Sequence, residues 1–477
     1  MDDLCFLPVA ETARRIANGE LSSVEVTRAY LERIERFDPA LRAFITVDAE
    51  EALRQASAAD RVLADGARER GLLHGVPIAI KDNIATRGLR TTGGSRVLAD
   101  WIPDRDAPVV QHLRRAGAVV LGKTNMHEFA YGGTCTNVQY GAVRNPWNTA
   151  HVPGGSSGGS GVAVAAGLCA AALGTDTAGS VRLPACQCGV VGLKPTYGRV
   201  SIQDVIPLAW SLDHVGPITR TVDDAALLLR VLSGRVASDP TTRPGPADDG
   251  PAGVEDGLRG LRLGVVRGYF FDWLQPDVEA ATERALDLLR GLGAVLVDVD
   301  WPDVASSNSV TWTIILAEAS TYHRPWLRAR ADDYAADTRA DLELGERVAA
   351  TDYIQAQRVR SVLQQQVLTI LSGLDALVTP MLAMSPPRIG QTTVEIGGKT
   401  RPVNPVFIRM ADPFNVTGLP AISVPCGFDS MGLPIGLQVA AAPFAESTVL
   451  RIARTYEAET EWHLARPPLE QAALSGA

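Results

Sequence analysis

Along this chain of 477 residues the spacing of apolar positions switches repeatedly between about 3.6 and 2, which separates helices from strands. Near the start, Val9, Ala13, Ile16 and Ala17 share one helical face, which Gly19 ends. Ser22 and Glu25 form a capping box for a second helix through Phe37, and a third runs from Glu50 to Leu63. Residues 1–65 therefore read as a helical segment packed on the core. Val76 to Ile80 is a short apolar run, predicted as a buried strand with Lys81, Asp82 and Asn83 at its carboxyl end, where α/β proteins hold their sites. A helix from Pro108 to Ala116, a strand from Ala118 to Leu121 and a turn or helix opening between Thr124 and Ala130 come next. A Gly-rich stretch then runs from Gly132 to Gly161. Between Pro153 and Arg182, two Gly/Ser turns bracket a run of small apolar residues, predicted as a buried helix with Ser156 and Ser180 in the flanking loops.

The second half repeats the mixture. The Pro- and Gly-dense segment from Asp239 to Gly257 reads as a surface linker. Strands are predicted at Leu261–Val266 and Ala294–Val299 around a helix from Pro276 to Leu292, helical patterns dominate up to Leu371, and strands return at Ala376–Thr379, Ala421–Pro425 and Ile435–Val439. A last helix covers Glu446 to Glu459. Strands mixed with helices throughout, without an internal repeat, predict one α/β unit over residues 66–465 and a short tail over 466–477.

Composition narrows the function classes. A hydrophobic fraction of 46% supports a large core, and a net charge of −9 with no Lys/Arg-rich run argues against nucleic acid as a partner. The acidic start lacks the pattern of a signal peptide, and no stretch of about 20 apolar residues is present, so a cytoplasmic protein without a membrane partner is expected. Six Cys are sparse usage, and Cys186 and Cys188 have no second Cys/His pair at zinc-ligand spacing. No catalytic metal is expected. Of 45 basic residues only Lys81, Lys123, Lys194 and Lys399 are lysines. Where Lys persists in an Arg-rich chain, a group able to lose its proton is a reason for it, since guanidinium does not deprotonate in proteins.

Two familiar short motifs fail on context. Gly117 to Thr124 fits G-x-x-x-x-G-K-T, but its loop positions are Ala-Val-Val-Leu, a strand pattern preceded by a helix, and not a phosphate cradle. Ser156 and Ser157 each fit G-x-S-x-G, yet the residues before them, Asn145 to Pro153, make a poor strand. His214, His323 and His463 lie downstream and keep a Ser-His-Asp hydrolase as a remote alternative. His112 and His127 have no ligand partners at helical spacing.

Two serines, a lysine at a strand end and a Gly-flanked turn remain. Lys81, then PGGSSGGS, GTDTAGSVRLPA, GLKPTYGRVS and SLDHVGPITRTVDDAALLL, and finally PFNVTGLPAISVPCG at 413–427, resemble in order the amidase signature family of Ser-cisSer-Lys amidohydrolases. The resemblance covers nearly the whole chain. It implies a central twisted mixed β-sheet flanked by α-helices on both sides, no cofactor, Ser180 as nucleophile, Ser156 on a cis peptide bond as the bridging serine, and Lys81 as base. Backbone N–H groups of Thr177, Ala178, Gly179 and Ser180 would form the oxyanion hole. The family commonly has Gly at the position of Ala178, so Ala fits only with a negative φ.

The chemistry is self-consistent. Lys81 must be neutral to accept a proton, and lowering its pKa from about 10.4 to about 7–8 takes roughly 3–5 kcal/mol, which burial at a strand end can supply. Ser157, Asp176 and Arg182 are expected to support the loops, the two charges as a buried pair. Tyr131, Gly132, Gly133, Trp147, Trp210 and Phe414 are candidates for the substrate pocket, with core packing an equal reading for the aromatic ones. The expected activity is hydrolysis of a small-molecule amide, carbamate or urea by a monomer or homodimer. The alternative is the glutamine-hydrolysing subunit of a tRNA-dependent amidotransferase.

Overall fold

Eleven strands of the described residues form one mixed sheet. The computed structural model describes residues 3–66, 70–245 and 257–470. In chain order the strands are β1 (Phe44–Val47), β2 (Pro77–Lys81), β3 (Val119–Thr124), β4 (Ala171–Asp176), β5 (Val191–Lys194), β6 (His214–Thr219), β7 (Arg262–Val265), β8 (Val295–Asp298) and β9 (Ala376–Pro380). A separate hairpin, β10 (Thr393–Ile396) and β11 (Lys399–Pro402), precedes β12 (Ala421–Phe428) and β13 (Pro434–Ala440). The sheet order is β1-β3-β2-β4-β6-β5-β12-β13-β9-β7-β8. Helices flank it.

The register at the centre decides where the site forms. β2 pairs in parallel with both β3 and β4, with Ile80 opposite Leu173, so the carboxyl ends of β2 and β4 lie side by side. Every residue of β2, β3 and β4 is buried, which explains why the β2 and β3 sequences read as continuous apolar runs. One large apolar cluster joins these strands to the first helices, and a second gathers residues 304–371 and 394–421 around the outer side of the site.

Two local readings change. The run between the Gly/Ser turns is not one helix: Gly158–Ala165 is helical, a turn follows, and Ala171–Asp176 is β4. Ala and Gly side chains carry no β-branched signature, so sheet pairing on both sides decides what local pattern does not. The first 65 residues also contribute β1, which pairs antiparallel with β3 at the sheet edge. The helix predicted to Phe37 continues through Pro39 to Leu41, where Arg42 donates its N–H to the Asp38 carbonyl. Of the predicted linker, residues 239–243 are pinned, with the buried Asp239 accepting from Ser201 Oγ and the Ile202 and Thr241 amides; 246–256 lie outside the described residues, as do 471–477 of the tail. No helix of the described residues is long and apolar enough to cross a membrane.

The capping box is present in full: Glu25 N–H donates to Ser22 Oγ at 3.1 Å and Ser22 N–H to Glu25 Oε2 at 2.8 Å. Ser22→Ala removes one of these bonds and is expected to cost ~1 kcal/mol, read as a lower urea midpoint. An unchanged midpoint would show that the cap adds nothing.

Candidate active site

The three residues at the end of β2 act in three directions. Lys81, fully buried, donates from Nζ to Ser156 Oγ at 2.7 Å and to Thr175 Oγ1 at 2.7 Å. The neighbouring Asp82 carboxylate accepts from the Thr92 amide at 2.9 Å and from Gly94 N–H at 3.3 Å, and Gly93 O in turn accepts from Phe129 N–H. This anchors the loop that leads to Tyr131. Asn83 donates to Thr175 Oγ1 at 3.1 Å, fixing the side chain that Lys81 leans on. Burial brings the Lys81 ammonium down to about 7, against the opposing influence of Cys135, Asp213 and Asp176. Lys123 and Lys194 are equally buried, so three of the four lysines sit where desolvation favours the neutral amine.

The serines arrive from the two turns around β4. The Gly155–Ser156 peptide bond is cis, and Ser156 O accepts from His127 N–H at 3.1 Å. Ser157 donates its hydroxyl to Thr175 O at 3.1 Å and its N–H to Ser180 O at 3.3 Å, so it ties the two turns together. No hydrogen bond joins Ser180 Oγ to Ser156 in this arrangement. Ser180 lines a narrow pocket.

Asp176 and Arg182 hold the loop between them. Arg182 meets both Asp176 oxygens at 3.0 Å and also donates to Gln438 Oε1, Asn415 Oδ1 and Ala411 O. Asp176 accepts from the amides of Gly179 and Val181 and from Asn415 Nδ2. Burial would raise this carboxyl, but the Arg182 guanidinium outweighs it and holds the group well below the usual carboxylate range. Thr177 Oγ1 donates to the buried Asp213, which also receives the Leu208 and Ala209 amides. Burial pushes the Asp213 carboxyl up to about 7.

One of the four amides expected in the oxyanion hole has a partner within the loop. The Gly179 N–H points at Asp176 Oδ1, 2.8 Å away, and is not free for substrate. The amides of Thr177, Ala178 and Ser180 make no hydrogen bond among the described residues, and Ala178 is not among the residues with positive φ, so Ala is accommodated there. Gly179 itself has φ +118°, and a Cβ would lie 2.5 Å from the Ala411 Cβ, so this position requires glycine.

The pocket candidates divide. Tyr131, Gly132 and Gly133 line the pocket beside Ala178 and Ser180. Trp147, Trp210 and Phe414 do not. Trp147 donates Nε1–H to Cys188 O and packs on Phe428; Trp210 is 40% exposed; Phe414 is fully buried against Phe270 and Trp301. The missing walls are Ala130, Leu183, Leu208, Trp312, Ile315, Asn404 and Ile408, of which Trp312, Ile315, Asn404 and Ile408 come from segments far away in sequence. The roles of Thr175 and Asp213 carry no signal in the sequence, whereas Asn83 is marked by its place beside Lys81 at a strand end.

Fold and sequence together define the class. The family model described as Amidase matches residues 25–450, and the protein belongs to this family of C–N bond hydrolases. More particularly, it is 40% identical to the A subunit of the glutamyl-tRNA(Gln) amidotransferase of Geobacter metallireducens, over 97% of this chain and 99% of that one. Among solved structures, it resembles a chain of a vestigial protein complex reported to reveal the origins of an s-triazine catabolic enzyme (TM-score 0.91, 35% identity, 97% and 100% covered). It also resembles the peptide amidase of Stenotrophomonas maltophilia (TM-score 0.82, 35% identity, 97% and 98% covered).

Arg182→Met would leave Asp176 charged, buried and short of its main partner. A loss of about 3–5 kcal/mol of stability is expected. Urea denaturation checks it, and a shift below about 1 kcal/mol would contradict the pairing argument.

Proposed function

We propose that this protein is a free-standing amidase that hydrolyses small-molecule amides with an apolar acyl group, using Ser180, Ser156 and Lys81. One observation carries the acyl preference: the pocket at Ser180 is walled by Leu183, Leu208, Trp312, Ile315 and Ile408 and has no charged side chain in its lining. Neutral Lys81 accepts the Ser156 proton while Ser156 accepts that of Ser180, whose Oγ attacks the carbonyl carbon. The relay needs Ser180 to rotate toward Ser156, an adjustment of the kind that substrate binding completes. The resulting oxyanion meets the free amides of Thr177, Ala178 and Ser180. As the intermediate collapses, protonated Lys81 returns a proton through Ser156 to the leaving nitrogen, the C–N bond breaks, and the acyl group stays on Ser180. Water repeats the sequence and releases the acid. On this reading the protein works in the cytoplasm as a monomer or homodimer and needs no cofactor.

The second reading, hydrolysis of glutamine within a tRNA amidotransferase, rests on the 40% identity to the amidotransferase chain of Geobacter metallireducens. Glutamine brings an ammonium and a carboxylate into the acyl pocket, and burying both without charged partners is unfavourable. The purified chain is therefore expected to hydrolyse phenylacetamide or benzamide and to leave glutamine untouched. Activity restricted to glutamine, or dependent on added subunits and tRNA, would establish the second reading instead.

Two variants test the chemistry. Ser180→Ala is expected to abolish covalent labelling by a fluorophosphonate, and label persisting elsewhere would displace Ser180 as nucleophile. Because the neutral amine is the active form and exists above its pKa, kcat/KM should rise with pH through about 7. Lys81→Arg keeps the charge but not the base, and should lose about 10²–10⁴-fold. Near-normal rates in Lys81→Arg would remove Lys81 from the relay.

A further inference from the structure

A second compartment lies beside the apolar pocket. An open cleft shares Asn404 with it, and the backbone that lines the pocket at Gly132 and Gly133 runs on into the cleft wall at Thr134. The two spaces differ in chemistry. The inner one holds Ser180 and is apolar, whereas the outer one is lined by Thr134, Thr136, Asn137 and Gln391 together with His127, Asp337 and Arg388.

The charged side chains of the cleft differ in their partners. Asp337 Oδ2 lies 3.4 Å from His127 Nε2, and the contact with this imidazole holds the Asp337 carboxyl below its ordinary value. That carboxylate is already engaged. Across the described residues, the Arg388 guanidinium makes no hydrogen bond or ion pair, and its backbone is fixed by the Gln391 side chain and a bridge to His151. Of the two permanently charged side chains in the cleft, Arg388 is therefore the one without a partner among the described residues.

The order of bond breaking assigns the two spaces. After the C–N bond breaks, the acyl group remains attached to Ser180 and the amine must leave first, so the amine half belongs in the compartment open to solvent. We infer that Arg388 binds a carboxylate on the amine half of the substrate, which makes the preferred substrates N-acyl amino acids with an apolar acyl group. This inference rests on the apolar-acyl reading and adds the identity of the leaving group. Arginine suits the task, since its fork matches both carboxylate oxygens.

The test compares phenylacetylglycine with phenylacetylglycinamide, which share the acyl group and differ in the carboxylate. A ratio of kcat/KM of about tenfold or more in favour of the acid is expected, carried mainly by KM and shrinking as salt rises. Arg388→Gln should bring the ratio near one, and Arg388→Lys should restore part of it. Because the ratio is taken within each variant, a general change in activity does not enter. Turnover of both compounds without preference, or a preference that survives Arg388→Gln, overturns this assignment and leaves the apolar-acyl reading standing. Turnover of neither compound overturns that reading itself.

Discussion

Everything at the centre of this molecule serves the burial of one amine. Lys81 is removed from water by three fully buried strands and still needs partners, because a stranded ammonium would be far more costly than a hydrogen-bonded one. Ser156 and Thr175 supply them. Parallel pairing of β2 with β4 sets Thr175 beside Lys81, and the turn that carries Ser156 is held over the same point through Ser157. The sheet register and the proton chemistry are thus one constraint: a slip of β4 by one residue would turn Thr175 to the opposite face.

A second buried charge organises the loop above that amine. Arg182 reaches Gln438 on β13 and Asn415 and Ala411 before β12, while Asp176 collects amides from its own turn. Strand ends more than 200 residues apart in sequence are therefore held to one short loop. Such a pair adds little net stability over an apolar replacement, but it fixes which backbone amides are consumed and which stay free. Gly179 falls on the consumed side; Thr177, Ala178 and Ser180 fall on the other.

The parts legible in the sequence are those whose signal is local. Val-, Ile- and Leu-rich strands such as β2, β9 and β13 and the helix at Pro276–Gly291 are readable to within a residue or two, and so is the strand-end position of Lys81. β4 is not, since Ala-Ala-Leu-Gly suits helix and strand alike and only its neighbours decide. The pocket walls are hidden for a different reason. Trp312, Ile315 and Ile408 come to line the same pocket as Ser180 through packing between distant segments, and no spacing in the chain distinguishes them from Trp147 or Phe414, which pack elsewhere. The engaged amide of Gly179 depends on where a single carboxylate oxygen points, which no motif records.

The scarcity of lysine has a practical side. Lys81, Lys123 and Lys194 are sealed in the interior, while Lys399 stands exposed on β11. Apart from the chain's amino terminus, a reagent that modifies amines in the folded protein has one side chain to find. A fluorophore attached there would mark the hairpin of β10 and β11 without any engineered cysteine.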